Sequence, residues 1–405
     1  MKRFMYFMIM STVFISSIIY GQDKKSMEKM KELIFEVKTK YAPDKRVAIF
    51  NIELKEIDGQ LIITGETNLK KAKSELLNSL INLDKTIKDE ITVLPSTVLG
   101  KKHYGVINLS VANLRVAPEH SAEMATQALL GTAVRVFDKK DGWYLLQTPD
   151  NYIAWVDNDG VALKTLDEVN EWITAKKIIY TNEFGFVYSE TDKQSFRVSD
   201  IVLGNILKYL GIDGSFTKVE YADGRIGYIE SENCIDLEEW LKNTEPTQEK
   251  IISTAKKFNG LPYLWGGTSA KALDCSGFSK TVYFMNGVLL KRDASQQVLT
   301  GIEVDTKNGF DNCQPGDLLF FGRKSTDNKP EKITHVAIYL GNLDFIHSAG
   351  IISIDSFDKN KPNYNEYRLN AFIRAKRILT SLDKNEIFML KNIDIYKGEK
   401  FNENE

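Results

Sequence analysis

The sequence predicts a multidomain α+β chain: a small N-terminal α/β unit, two small β-barrels, and a C-terminal α+β domain. Three observations predict it. Through the middle of the chain, short stretches alternate apolar and polar residues between Gly and Asp turn signals, which is a strand pattern. That middle pattern occurs twice. Toward the C terminus, two helical stretches precede a run of strand-like ones, the order of an α+β domain. At 405 residues the chain can support several cores rather than one.

The elements follow in order. Residues 1–21 join basic Lys2 and Arg3 to an apolar run, Phe4 to Ile19, and end in small residues. That is a secretory signal, so the mature chain is expected in the periplasm or cell envelope. No later stretch could span a bilayer. Residues 23–100 read as a small α+β domain. A Lys/Glu-rich helix precedes "VAIFNIEL" and "QLIITGET", two strands joined through Asp58-Gly59; a helix and the strand "ITVLP" follow. Residues 103–166 and 176–240 are the two all-β units. Gly131 matches Gly204, Asp141-Gly142 matches Asp213-Gly214, and Trp155-Val156 matches Tyr228-Ile229. Residues 246–379 open with the helix "TQEKIISTAKKF", and strands follow at "DLLFFG", "THVAIYLG", "FIHSA" and "NAFIRAKRIL". Residues 380–405 read as a charged tail, disordered in part or whole.

Composition narrows the function. A net charge of −2, with Lys and Arg spread along the chain, gives no pull toward nucleic acid. Three cysteines, Cys234, Cys275 and Cys313, are too few for a disulfide framework, although a Cys234–Cys313 bridge stays open. No Cys/His spacing suggests a metal, and no cofactor is called for.

The chemistry concentrates in "YLWGGTSAKALDCSGF", Tyr263 to Phe278. Asp274 is placed to cap a helix that begins at Cys275. The helix N-terminus favours a thiolate, whereas Asp274 opposes it, so the sulfur needs a histidine within reach. The chain has four histidines, and His335 and His347 share one hairpin-like stretch, "ITHVAIYLGNLDFIHSAG". A three-residue loop, Gly341 to Leu343, would pair Ala337 with His347 and put both imidazoles on one face.

In order, "PYLWGG", "DCSGF", "RDASQQ", "PGDLLFF", "THVAIYLG" and "FIHSAG" resemble the NlpC/p60 family of cell-wall cysteine peptidases, which are papain-like. The resemblance implies Cys275 as nucleophile, His335 as base and His347 as third polar member. "VANLRVAP", "DGWYLL" and "YIAWV" resemble bacterial Src-homology-3-like domains. Two such β-barrels before this domain resemble the γ-D-glutamyl-L-diamino acid endopeptidases, or dipeptidyl-peptidases VI. That implies cleavage of murein peptides with a free N-terminal L-Ala, between D-Glu and the diamino acid. It also implies that the first β-domain closes one end of the cleft. Asp274, Ser276, Tyr263, Glu123, Tyr152 and Ser295 are the implied substrate-side residues. Two rival readings remain: an endopeptidase remodelling intact peptidoglycan, and a catalytically silent wall-binding protein.

Overall fold

The computed structural model describes residues 26–84, 86–384 and 386–401, and the signal read over residues 1–21 lies outside them. The chain divides between Leu99 and Gly100 into two compact units. In the first, helix α1 (26–41) precedes strands β1 (Phe50–Ile57) and β2 (Gln60–Thr67), helix α2 (Lys70–Ile81) and strand β3 (Lys88–Val93). Asp58 and Gly59 both take positive φ, so the β1–β2 turn is the tight one the Asp-Gly pair predicts. β3 returns parallel to β2 through α2. Met30, Phe50, Ile63, Leu76 and Ile91 form its buried core.

The second unit begins with two seven-stranded sheets. The first holds β4 (Tyr104–Ile107), β5 (Val111–Arg115), β6 (Met124–Leu129), β7 (Ala133–Lys140), β8 (Trp143–Gln147), β9 (Ile153–Asp157) and β10 (Val161–Lys164). Helix α3 (Leu166–Thr174) follows. The second holds β11 (Lys177–Tyr180), β12 (Phe184–Tyr188), β13 (Arg197–Val202), β14 (Ile206–Asp213), β15 (Phe216–Glu220), β16 (Ile226–Glu230) and β17 (Cys234–Asp236), and then helix α4 (Leu237–Asn243). The strand orders are β10-β4-β7-β8-β9-β5-β6 and, read from the other end, β17-β11-β14-β15-β16-β12-β13. Each strand of one sheet thus has its counterpart at the same place in the other, seven strands on, as the repeated glycines suggest. The expected closed barrels are corrected: each order has two ends. Closure is unnecessary at β6, because the C-terminal domain covers that edge. The Gln127 N–H donates to Thr268 Oγ1 (3.2 Å), and Thr268 returns its N–H to Gln127 Oε1 (2.9 Å) and its hydroxyl to Gln127 O (3.0 Å).

The C-terminal domain starts with helix α5 (Gln248–Lys257), capped by Thr247. The short hairpin β18 (Thr268–Ser269) and β19 (Ala272–Leu273) leads into helix α6 (Cys275–Phe284). Strand β20 (Val288–Leu289) and helix α7 (Ala294–Gln297) precede the main sheet. Its strands are β21 (Ile302–Val304), β22 (Leu318–Arg323), β23 (Lys332–Gly341), β24 (Asp344–Ala349) and β25 (Ile351–Ser356), then, after helix α8 (Glu366–Ala371), β26 (Phe372–Arg377). The order β21-β26-β22-β23-β24-β25 is antiparallel throughout. α6 lays Phe278 and Val282 against Phe320, Val336, Ile338 and Ile346 on one sheet face. Phe321, Ala337, Tyr339, Phe345 and Phe357 fill the other face.

The described residues of the charged tail take defined places in the fold. β27 (Phe388–Met389) pairs with β20, and helix α9 (Asp394–Lys397) follows. Tyr396 is buried beside Trp240 and Leu289. Phe401 then stacks on Tyr104 of the first sheet at 5.1 Å. Scattered apolar residues, each flanked by charge, hold this segment down although no helical or strand period announces them.

Candidate active site

The short segment before α6 fixes the sulfur. Asp274 is the N-cap: its Oδ1 accepts the Gly277 N–H at 2.7 Å. Gly277 is required there, because a Cβ would lie 2.0 Å from the Gly267 carbonyl oxygen. Asp274 Oδ2 also accepts the Gly266 N–H at 3.0 Å, so the Gly-Gly turn is tied to the cap. The guanidinium of Arg292, 1% exposed, donates to both oxygens of Asp274, at 3.2 and 2.5 Å. Ser276 Oγ completes the set, at 3.0 Å from Arg292 and 3.3 Å from Asp274.

Asp274 and Ser276 are therefore buried and internally satisfied. The expected grip of Asp274 and Ser276 on a substrate ammonium is corrected on that ground: Arg292 already neutralises the carboxylate.

Cys275 is half-buried at the first helical position. Burial, reinforced by Asp274, pushes its thiol up to about 11, although backbone N–H groups of Val336 and Ser276 are directed at the sulfur. The resting sulfur is thus a thiol. The opposition of Asp274 is the one expected from its place beside the sulfur.

Val336 follows His335 on β23, so the strand that bears the imidazole also directs a backbone N–H at the sulfur. The β23–β24 ladder pairs Tyr339 with Phe345 and Ile338 with Ile346, and stops there. Beyond it the Leu273–Cys275 segment enters: Ser348 Oγ of β24 donates to Leu273 O (2.7 Å), while Val336 of β23 faces the sulfur. Continuing the register sets Ala337 opposite His347, the expected offset. The device differs from the expected loop. Asn342 and Leu343, both at positive φ, make a two-residue turn, and an irregularity between Tyr339 and Gly341 restores the register.

His335 Nε2 and His347 Nδ1 lie 2.8 Å apart, and both rings are buried. His347 Nε2 lies 3.0 Å from Asp355 Oδ2 on β25. Asn365, the N-cap of α8, donates to that same oxygen at 2.5 Å. An ionised carboxylate only accepts, so His347 Nε2 carries a proton and its Nδ1 a lone pair. His335 then donates from Nε2, which leaves Nδ1 as its basic nitrogen. Burial, the nearby charge of Arg368 and His347 hold His335 well below the usual histidine value, so the ring rests neutral. The His347 hydrogen bond holds Asp355 below the usual carboxylate range, with help from Asn365 and Arg368.

The remaining expected residues fall as follows. Burial and the neighbouring Cys275 push half-buried Tyr263 up to about 12. Exposed Glu123 accepts the Trp265 indole N–H at 2.8 Å. The buried Tyr152 donates its hydroxyl to Asp293 at 3.3 Å. The first sheet is thus in contact with the cleft, and a Cβ on Gly266 would lie 2.6 Å from Met124 O. Arg292 also reaches Thr126 on β6 at 2.8 Å. Ser295 lies exposed on α7, two residues from Asp293. Cys234 and Cys313 are free, so the open possibility of their bridge is closed.

Sequence reasoning missed Asp293 as a cleft residue, the buried role of Arg292, and Asp355. The signal for Asp355 was the period-two stretch "IISIDS" directly after "FIHSAG", a third meander strand whose alternate positions share the face of His347.

Residues 260–372 match the NlpC/P60 family, and residues 114–161 match the bacterial dipeptidyl-peptidase Sh3 domain. The chain thus carries an NlpC/P60 cysteine-peptidase domain together with a bacterial dipeptidyl-peptidase Sh3 domain, and it is a hydrolase. More particularly, it is similar to dipeptidyl-peptidase 6 of Lysinibacillus sphaericus, 29% identical over 64% of this chain and 94% of that protein. It is equally similar, at 29%, to a γ-D-glutamyl-L-lysine dipeptidyl-peptidase of Bacillus cereus, over 64% of this chain and 76% of that one. A crystal structure of an NlpC/P60 family protein from Bacillus cereus shares the fold: TM-score 0.57 and 24% identity, over 68% of this chain and 99% of that one.

Proposed function

We propose that this enzyme hydrolyses the bond between γ-D-Glu and the diamino acid in murein peptides that carry a free N-terminal L-Ala. One observation carries the reading. The first β unit reaches the segments around the nucleophile: Glu123 accepts the Trp265 indole N–H, and Tyr152 bonds Asp293, next to the Arg292 that grips the cap of Cys275. Two carboxylates and a phenol there suit an ammonium, with charge-assisted hydrogen bonds of roughly 1.5–3 kcal/mol each.

Cys275 attacks the γ-carbonyl as its proton passes to Nδ1 of His335. The imidazolium is held by His347, whose own proton stays on Nε2, donated to the Asp355 carboxylate. The backbone N–H of Cys275, at the helix start, stabilises the oxyanion. His335 then protonates the leaving amine, the thioester forms, and water deprotonated by His335 releases L-Ala-γ-D-Glu. Such substrates come from the cell envelope, which fits export of this chain. Among the described residues no helix is long and apolar enough to cross a membrane.

The test compares L-Ala-γ-D-Glu-diaminopimelate, the same peptide N-acetylated, and intact sacculi. Release of diaminopimelate from the free peptide alone supports the proposal. Equal rates on the acetylated peptide remove the ammonium pocket, and solubilised sacculi indicate wall remodelling instead.

A further inference from the structure

Two arginines flank the nucleophile, and only one of them is engaged. Arg292 is buried against Asp274, Ser276 and Thr126. Arg368 of α8 is half-buried, and among the described residues its guanidinium makes no hydrogen bond and no ion pair. It lies 5.7 Å from the centroid of the Phe321 ring, and Phe321 is paired with His335 across the β22–β23 ladder. The other ring beneath it, at 5.4 Å, belongs to Tyr367, which is 73% exposed. Its charge is felt at Cys275, His335 and Asp355 alike. The helix is fixed in place by the imidazole chain itself. Asn365 gives its amide N–H to Asp355 and takes the Arg368 backbone N–H on its Oδ1 at 2.9 Å.

A guanidinium held over an aromatic ring with its donors unpaired is an anion receptor. Its place in the cleft says which part of the substrate it meets. The leaving nitrogen must receive its proton from His335, so the leaving residue lies on the His335 side. The ammonium end lies on the other, against Asp293 and the first sheet. Arg368 stands on the leaving side.

We propose that Arg368 binds a carboxylate of the leaving diamino acid and so makes the enzyme selective for peptides in which that group is free. This rests on the proposed function and names its specificity on the far side of the scissile bond. The carboxylate has two sources: the main-chain group of a C-terminal diamino acid, and the side-chain end of diaminopimelate.

The experiment measures KM and kcat at pH 8, where His335 is neutral with or without a neighbouring cation. Substrates are L-Ala-γ-D-Glu-L-Lys as free acid and as C-terminal amide, and the diaminopimelate peptide as free acid and as main-chain amide. The expected result is a KM about 10–100-fold lower for the lysine acid than for its amide. Arg368→Gln should erase that difference by weakening the acid alone, and Arg368→Lys should keep part of it. An Arg368-dependent preference that persists in the diaminopimelate main-chain amide supports the proposal through the side-chain carboxylate. Equal KM for all four substrates in the wild type overturns it. So does an Arg368→Gln variant, with unchanged melting temperature, that loses the same factor on acid and amide. Calorimetric binding of the lysine acid and amide to Cys275→Ala separates the two claims. Should the wild type cleave nothing, an Arg368-dependent preference in binding still supports the subsite while the proposed reaction fails. Equal binding of both overturns the subsite.

Discussion

His335 Nε2 stands 2.8 Å from His347 Nδ1, and His347 Nε2 in turn stands 3.0 Å from Asp355. The carboxylate at the end of this row sets every tautomer before it, and leaves the lone pair of His335 on Nδ1. Replacing Asp355 by Ala lets His347 take the other tautomer and turn a proton toward His335. kcat should fall by about 10²–10⁴-fold, with KM changed little, as when an orienting carboxylate is lost elsewhere. Steady-state kinetics on the free-amine peptide check this, and a kcat within twofold of wild type refutes it.

The protonation states give a pH profile. Burial, Arg368 and His347 lower the affinity of His335 for a proton, so it stays a competent base below pH 6.5, its ordinary value. The acid limb of kcat/KM should therefore fall below 6.5. Because the thiol titrates near 11, alkylation of Cys275 by iodoacetamide should accelerate about tenfold per pH unit between 8 and 10. An alkylation rate already level at pH 7 would reveal a preformed thiolate–imidazolium pair.

The helix carrying Cys275 is also anchored from behind. Lys280 on α6 and Asp150 in the first β unit form a buried ion pair, and Asp150 also accepts the Thr148 hydroxyl at 2.6 Å. Although burial opposes it, Lys280 holds Asp150 below the usual carboxylate range. Lys280→Met strands a buried carboxylate and should cost about 3–5 kcal/mol. Adding Asp150→Asn should recover most of that. Denaturant titration measures both, and a single variant within 1 kcal/mol of wild type, on the order of a solvated pair, would show the site is wet.

Asp293→Asn keeps the hydrogen-bonding shape beside Tyr152 but removes a charge. It should raise KM for the free-amine peptide about 10-fold or more with kcat nearly constant. Loss of kcat at unchanged KM would instead assign Asp293 to the reacting centre.

Much of this was legible in local sequence. A capping aspartate before a cysteine, a tight Asp-Gly turn and two histidines spaced across a hairpin are short-range signals, and each depends on few neighbours. The register survived although its cause was misjudged, because loop length cannot reveal a bulge at Leu340. The role of Arg292 was missed for a different reason: a buried cation is indistinguishable in sequence from a solvated one until its carboxylate is known. Asp355 needed the third strand, Tyr396 needed a pocket formed by residues more than a hundred positions earlier, and Phe401 needed a ring nearly three hundred positions earlier.

One guanidinium, that of Arg292, grips the cap of the nucleophile helix and a hydroxyl of the neighbouring sheet at once. The first β unit and the helix that carries the nucleophile are consequently tied together through a single buried side chain, and a change at position 292 would be felt on both sides of that seam.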